Sequence, residues 1–273
     1  ELDLGLFMRK NTGLNYGARN TAVDAWSDVA GAGAMMDAVG VPMSDNKYYL
    51  MNPFTTTSLA SAQNGLNASD GLVRTAWEKA QISSNFGGMR ALTSNALSSY
   101  TSGSTTDRAG ALNGAPDATY VTAKDTMQQT LAIDALGTGT IVAGDQIQIA
   151  GVNRLNIATR QVMLDAAGAA VPWTGTVLST VTIAGNAASV VVSGAAIYEA
   201  NGQYNTVDAA PADGAVVTIL GSAATVYQPN LFYTEQAFGL GTVKLPKLYS
   251  TDTVATTSDG MSIRVSKYSD GDA

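Results

Sequence analysis

Ser44-Asp45-Asn46-Lys47 combines two short strings, S-x-x-K and S-D-N, that supply a nucleophilic serine and its lysine in penicillin-recognising enzymes. That chemistry needs the serine to open a helix, so that the lysine lies one turn away on the same face. Here the string follows Val41-Pro42 and leads into a strand, and no Lys-Thr-Gly string occurs anywhere, so the residues read as a turn. Asn85-Phe86-Gly87-Gly88 and Gly239-Leu240-Gly241 are Gly-rich, but neither has the spacing of a phosphate-cradling loop between strand and helix. Asp270-Gly271-Asp272 offers oxygens to calcium without the twelve-residue loop that would gather them. The acidic residues stand singly beside turn glycines, which suits solubility better than the paired carboxylates of glycoside hydrolysis. Trp173 follows Pro172 at a strand start; core packing is the stronger reading and an exposed stacking platform the weaker one. Asn67-Ala68-Ser69 is a glycosylation sequon whose serine doubles as a helix cap.

What is missing from the 273 residues narrows the chemistry further. No cysteine rules out disulfides, thiolate nucleophiles and Cys-ligated zinc; no histidine removes the commonest general base and the usual metal ligand. The net charge of −7 is uneven: residues 101–228 hold 4 basic against 9 acidic side chains, while the flanks are nearly balanced. No basic stripe exists to neutralise phosphates, which argues against sequence-specific nucleic-acid binding. No run approaches the roughly 18 uninterrupted apolar residues of a membrane span. Neither a catalytic, a cofactor nor a metal site is expected.

The elements that would carry these residues change character twice. Glu1 to Arg9 reads as the tail of a helix, and the chain as a fragment. Thr21 to Val39 has apolar residues near helical spacing and stops at Gly40-Val41-Pro42. Lys47 to Met51 reads as a strand closed by Asn52-Pro53, Thr55 to Asn64 as a second helix, and Ser69 onward as a third. On that third helix Arg74 and Glu78 sit four apart and can pair. Gly87-Gly88 turns into a strand, Met89 to Thr93. Ser98 to Gly114 reads as a polar hinge. Short alternating runs then follow at Thr119–Ala123, Met127–Ile133, Gln146–Ile149, Ile157–Leu164, Thr174–Ile183, Ser189–Val192, Val216–Leu220 and Ala223–Tyr227, with turn residues between them. This spacing predicts an antiparallel barrel or sandwich inserted into a mixed α+β domain. After Gln228-Pro229-Asn230 the first character returns, ending on the alternating strand Met261 to Val265.

Asn67 to Ile82, continuing through Asn85 to Leu92, resembles the major coat proteins of short-tailed phages of the P22 lineage. So do Asn230-Leu-Phe-Tyr233 with Ala237 to Leu248, and Gly260 to Asp272. Between them Ala143-Gly-Asp-Gln-Ile-Gln-Ile-Ala-Gly-Val152 is similar to that family's insertion domain, where a Gly-Asp turn precedes an alternating strand. The resemblance runs in order along nearly the whole chain.

It implies the tailed-phage, HK97-type capsid fold: residues 1–19 as the end of the backbone helix and a linker, 20–102 as the first part of the axial domain, 103–228 as the inserted β-barrel, 229–250 as the axial return, and 251–273 as a strand of the peripheral domain. It implies a structural, non-enzymatic coat subunit of the virion that folds in the bacterial host cytoplasm and assembles with scaffolding and portal proteins into hexamers and pentamers of an icosahedral procapsid around phage DNA. The barrel would aid folding and bridge capsomers through a loop placed at Lys124-Asp125. The fragment alone is expected to be monomeric or weakly associated. A carbohydrate-binding barrel using Trp173 is the alternative.

Overall fold

In the computed structural model, residues 2–63, 84–239, 241–249, 251–258 and 260–267 are described. The chain forms two units, Glu1–Glu235 and Gln236–Ala273. The first unit opens with helix α1 (Leu2–Lys10). Helix α2 (Trp26–Val39) follows. Ala25 at its start has no capping side chain, so Asp28 bends back and accepts from the amides of Ala25 and Asp24 at 3.2 and 3.3 Å. Gly40, at φ 107°, closes the other end in the left-handed conformation.

Strand β1 is Lys47–Met51, where the sequence places it. Asn52-Pro53, read above as closing that strand, opens helix α3 (Pro53–Gln63): Asn52 Oδ1 accepts from Thr55 N at 2.7 Å and Pro53 takes the first helical position. β2 (Asn85–Phe86), β3 (Met89–Thr93) and β14 (Leu231–Thr234) complete a four-stranded sheet in the order β14-β1-β3-β2, with β1 and β3 parallel. Val29, Ala32 and Met36 of α2 and Leu59 of α3 bury against Tyr49, Met51, Phe86 and Met89 of the sheet. The return of the chain after residue 228 thus supplies an edge strand to the sheet begun at Lys47, Tyr48 pairing with Tyr233 and stacking on it at 5.5 Å.

The second core lies inside a closed barrel of six antiparallel strands: β5 (Ala109–Leu112), β6 (Gln128–Asp134), β8 (Gln146–Asn153), β9 (Pro172–Val177), β11 (Ala188–Ser193) and β12 (Val216–Ile219). They run in the order β11-β6-β5-β12-β8-β9, and β9 closes onto β11. Alternation selects the inward set: Leu131 and Ile133 from β6, Ile147 and Ile149 from β8, Val190 and Val192 from β11, Val217 and Ile219 from β12. Trp173 fills the same core.

Four sequence expectations need correction. Thr119–Ala123 is not a strand but a one-turn helix, Tyr120–Ala123, because the Thr119 and Thr122 side chains bond each other's backbone amides. Ile157–Leu164 is not a continuous strand: Asn156 Oδ1 takes the amides of Ala158 and Thr159 at 2.8 Å each and folds the run into a turn. Thr174–Ile183 divides into β9 and β10 (Val181–Ile183), the latter paired with β7 (Gly139–Ile141). Ser98–Gly114 is no open hinge, since it contains β4 (Tyr100–Thr101) and the barrel strand β5.

The unit Gln236–Ala273 holds one hairpin, β15 (Thr253–Thr256) with β16 (Ser262–Val265), in register Thr253 to Val265 and Thr256 to Ser262.

Candidate functional site

Three hydroxyl side chains and one guanidinium of the barrel reach for carbonyls at the end of α1 and just beyond it. Ser193 Oγ donates to Lys10 O at 3.1 Å, Thr176 Oγ1 to Thr12 O at 2.5 Å and Thr174 Oγ1 to Gly13 O at 3.2 Å, while the Arg154 guanidinium also bonds Gly13 O. A helix leaves its last carbonyls without partners, and here the barrel supplies one for Lys10 and for the two carbonyls of residues 12–13 that follow. The contact explains why all five residues from Trp173 to Val177 are buried: one face of β9 points into the barrel and the other is covered by residues 12–13. Gly13 and Gly194 meet so closely that a Cβ on either would lie 2.8 Å from the other's Cα. Burial lowers the Arg154 guanidinium to about 10. A barrel loop treats α2 likewise, Asn156 Nδ2 donating to Ala38 O and Ile157 N to Val39 O, both at 2.8 Å.

The chain enters and leaves the barrel through one neck. β4 pairs antiparallel with β13 (Val226–Tyr227), bringing the Tyr100 and Tyr227 rings to 5.7 Å. Ser102 Oγ donates to Ser222 O at 2.6 Å and accepts from Thr225 N at 3.0 Å. Just inside, Arg108 donates to the carbonyls of Gly103, Ile219 and Leu220 and to Asp145 Oδ1 at 3.3 Å. Asp145, 1% exposed at its side chain, also accepts from Gly103 N at 3.0 Å and Val142 N at 2.9 Å. The Gly-Asp turn of the sequence is therefore a lock: Gly144 turns the chain at φ 100° and Asp145 ties that turn to both crossings.

Against this junction lies a cavity of about 550 Å³ whose walls include Arg9, Arg19, Asn20, Asp28, Tyr100 and Tyr227. The Arg9 guanidinium carbon sits 4.5 Å from the centre of the Tyr100 ring. Burial lowers both guanidiniums, the Tyr100 and Asp145 oxygens opposing it, and burial raises the Tyr100 phenol.

Lys124 and Asp125 stand exposed in the turn after the one-turn helix, whose Ala123 is buried with Ala118, Ala195 and Ile197 and whose Tyr120 stacks on Tyr204 at 4.1 Å. Arg74 and Glu78 lie outside the described residues. In the S-x-x-K string Lys47 pairs with Asp37, and Asn46 donates to Glu235 at 2.9 Å, so the polar groups serve the fold. Trp173 is 0% exposed and donates its indole N–H to Gly194 O at 2.8 Å, which removes it as a stacking platform.

A profile of the P22 coat protein (gene protein 5) family matches residues 1–273. The chain belongs to the P22 coat protein family. It is also 44% identical, over 278 aligned positions, to the major capsid protein of Acyrthosiphon pisum secondary endosymbiont phage 1. The alignment covers 100% of this chain and 65% of that relative's length. Most of the junction contacts found here, such as Arg154 with Gly13 or Arg108 with Ile219, join positions more than 100 apart. Only the Gly144-Asp145 turn left a local mark in the sequence.

Proposed function

We propose that the protein is the major capsid subunit of a short-tailed phage, a structural and non-enzymatic component of the virion shell. The whole-chain family match carries this reading, and the closed barrel held between two chain crossings supports it. The architecture is assigned to the HK97-type capsid fold. The α2, α3 and four-strand sheet region forms the axial domain within 20–102 and 229–250, α1 ends the backbone helix within 1–19, the barrel is the insertion at 103–228, and the hairpin belongs to the peripheral domain at 251–273. Subunits assemble in the host cytoplasm with scaffolding and portal proteins into hexamers and pentamers of an icosahedral procapsid that later encloses DNA.

The barrel has two roles in this reading. It helps the subunit fold, because its hydroxyls and Arg154 bond carbonyls from Lys10 to Gly13 and its Asn156–Ile157 loop bonds the last carbonyls of α2. It also bridges capsomers through Lys124 and Asp125, which project from an anchored base. Co-expression of the full-length protein with its scaffolding protein, followed by negative-stain electron microscopy, tests the assignment. Uniform round shells are expected; abundant soluble protein with scaffold present and no shells would overturn it.

A further inference from the structure

The cavity beside the neck holds more positive charge than its surroundings compensate. Arg9 and Arg19 both line it, and among the described residues neither guanidinium has a hydrogen-bond or ion-pair partner. Nε and Nη1 of Arg9 and Nε and Nη2 of Arg19 are buried without partners. A buried guanidinium nitrogen without an acceptor is costly, and two desolvated cations on one cavity repel each other. The nearby carboxylates are already engaged. Asp28, the one acidic residue among the described residues of the walls, accepts from the amides that start α2. Asp145 accepts from two amides and from Arg108. Tyr227 Oη donates to Asn20 and accepts from Ser222 N, so the phenol at that side is spent as well.

We propose that this cavity is an oxyanion-binding site, in which the forks of Arg9 and Arg19 converge on one carboxylate or phosphate group. Arginine presents planar paired donors that match such groups, and the match is strongest where water is displaced. The Tyr100 ring holds the Arg9 guanidinium in place from one face. Gly144 lets it approach the barrel, since a Cβ there would lie 3.2 Å from the guanidinium carbon. The cavity, at about 550 Å³, has room for an acidic side chain or a free ion with its waters. A free oxyanion and a carboxylate from a second copy of this acidic chain offer the same chemistry. The site is independent of whether the protein builds shells.

Calorimetric titration of the 273-residue chain with inorganic phosphate, at ionic strength held constant with sodium chloride, tests the proposal. Saturable one-to-one binding is expected in the wild type, weakened about tenfold or more in Arg9→Gln and in Arg19→Gln, as for a lost charge-assisted hydrogen bond. Arg264→Gln, in the other unit, should bind like wild type. Arg19→Lys keeps the charge without the fork and should bind with intermediate strength, which covers the case in which a glutamine variant fails to fold. Sedimentation velocity with and without phosphate separates the sources. Self-association that phosphate competes away identifies a carboxylate from a second copy, and an unchanged profile with binding retained identifies a free ion. No saturable binding, or equal binding in wild type and both glutamine variants, would overturn the site.

Discussion

Tyr49 is 4% exposed, and its hydroxyl has one weak partner, Asn230 Nδ2 at 3.3 Å. Burial pushes its phenol up to about 12. The unfolded chain then releases this proton near pH 10 while the folded chain keeps it. Stability from this group is full below pH 10 and falls as the pH climbs toward 12, by about 2–3 kcal/mol in all. Urea unfolding at stepped alkaline pH should show that decline in wild type, and Tyr49→Phe should flatten it; parallel curves for the two proteins would refute the assignment. Asp145 is a different kind of residue, a carboxylate enclosed by two amides and one guanidinium. Removing it in Asp145→Ala leaves the buried Arg108 charge with carbonyl partners only, at a cost of about 3–5 kcal/mol. Thermal unfolding should register a large fall in Tm. A loss under about 1 kcal/mol would mean that the neck is held by its backbone ladder alone.

Elements were legible wherever one face alone decides the pattern. β1 and β3 fall where the sequence places them, and β6, β8, β11 and β12 lie within a residue or a few of the alternating runs that announced them. Legibility fails where a side chain competes with the backbone. Thr119 and Thr122 turn a strand-like run into a helical turn, and Asn156 breaks another run by taking two amides. It fails again where a second partner covers an outer face. Thr174 and Thr176 look like solvent-facing strand positions, and only the three-dimensional path of residues 12–13 buries them. The docking of α1 on the barrel was invisible for the same reason, because its partners are more than 140 positions apart. Gly194 concentrates that contact: its φ is 84° and a Cβ would lie 2.8 Å from the Cα of Gly13. Gly194→Ala therefore strains two backbones at once and should cost about 1–3 kcal/mol, read as a Tm lower by several degrees. Thr176→Val keeps the shape, loses one hydrogen bond and should cost about 1 kcal/mol. If Gly194→Ala proves no worse than Thr176→Val, close packing is not what holds the helix end.

At the scale of the molecule, the barrel is a self-contained core joined to the sheet domain by one neck and two helix-end contacts. Such an arrangement lets a projecting turn change without disturbing what lies beneath it. Lys124 and Asp125 are placed to use this freedom. Both are exposed, while Ala123 and the Tyr120–Tyr204 stack hold the turn from below. Neighbouring opposite charges on a fixed turn suit exchange with the same turn of another subunit, each lysine meeting the other's aspartate in an isologous contact. In the isolated subunit their replacement by alanine should change stability by no more than about 0.5 kcal/mol, as for exposed positions generally. Under the proposed capsomer bridge the same pair would recur across the shell, so a small loss per contact would be multiplied across the lattice. Lys124→Ala with Asp125→Ala in the full-length protein should therefore fold with an unchanged Tm yet yield few or malformed shells under the microscope. Shells of normal number and shape would place the capsomer bridge elsewhere. A lowered Tm would instead make the turn part of the fold, contrary to the exposure of both side chains.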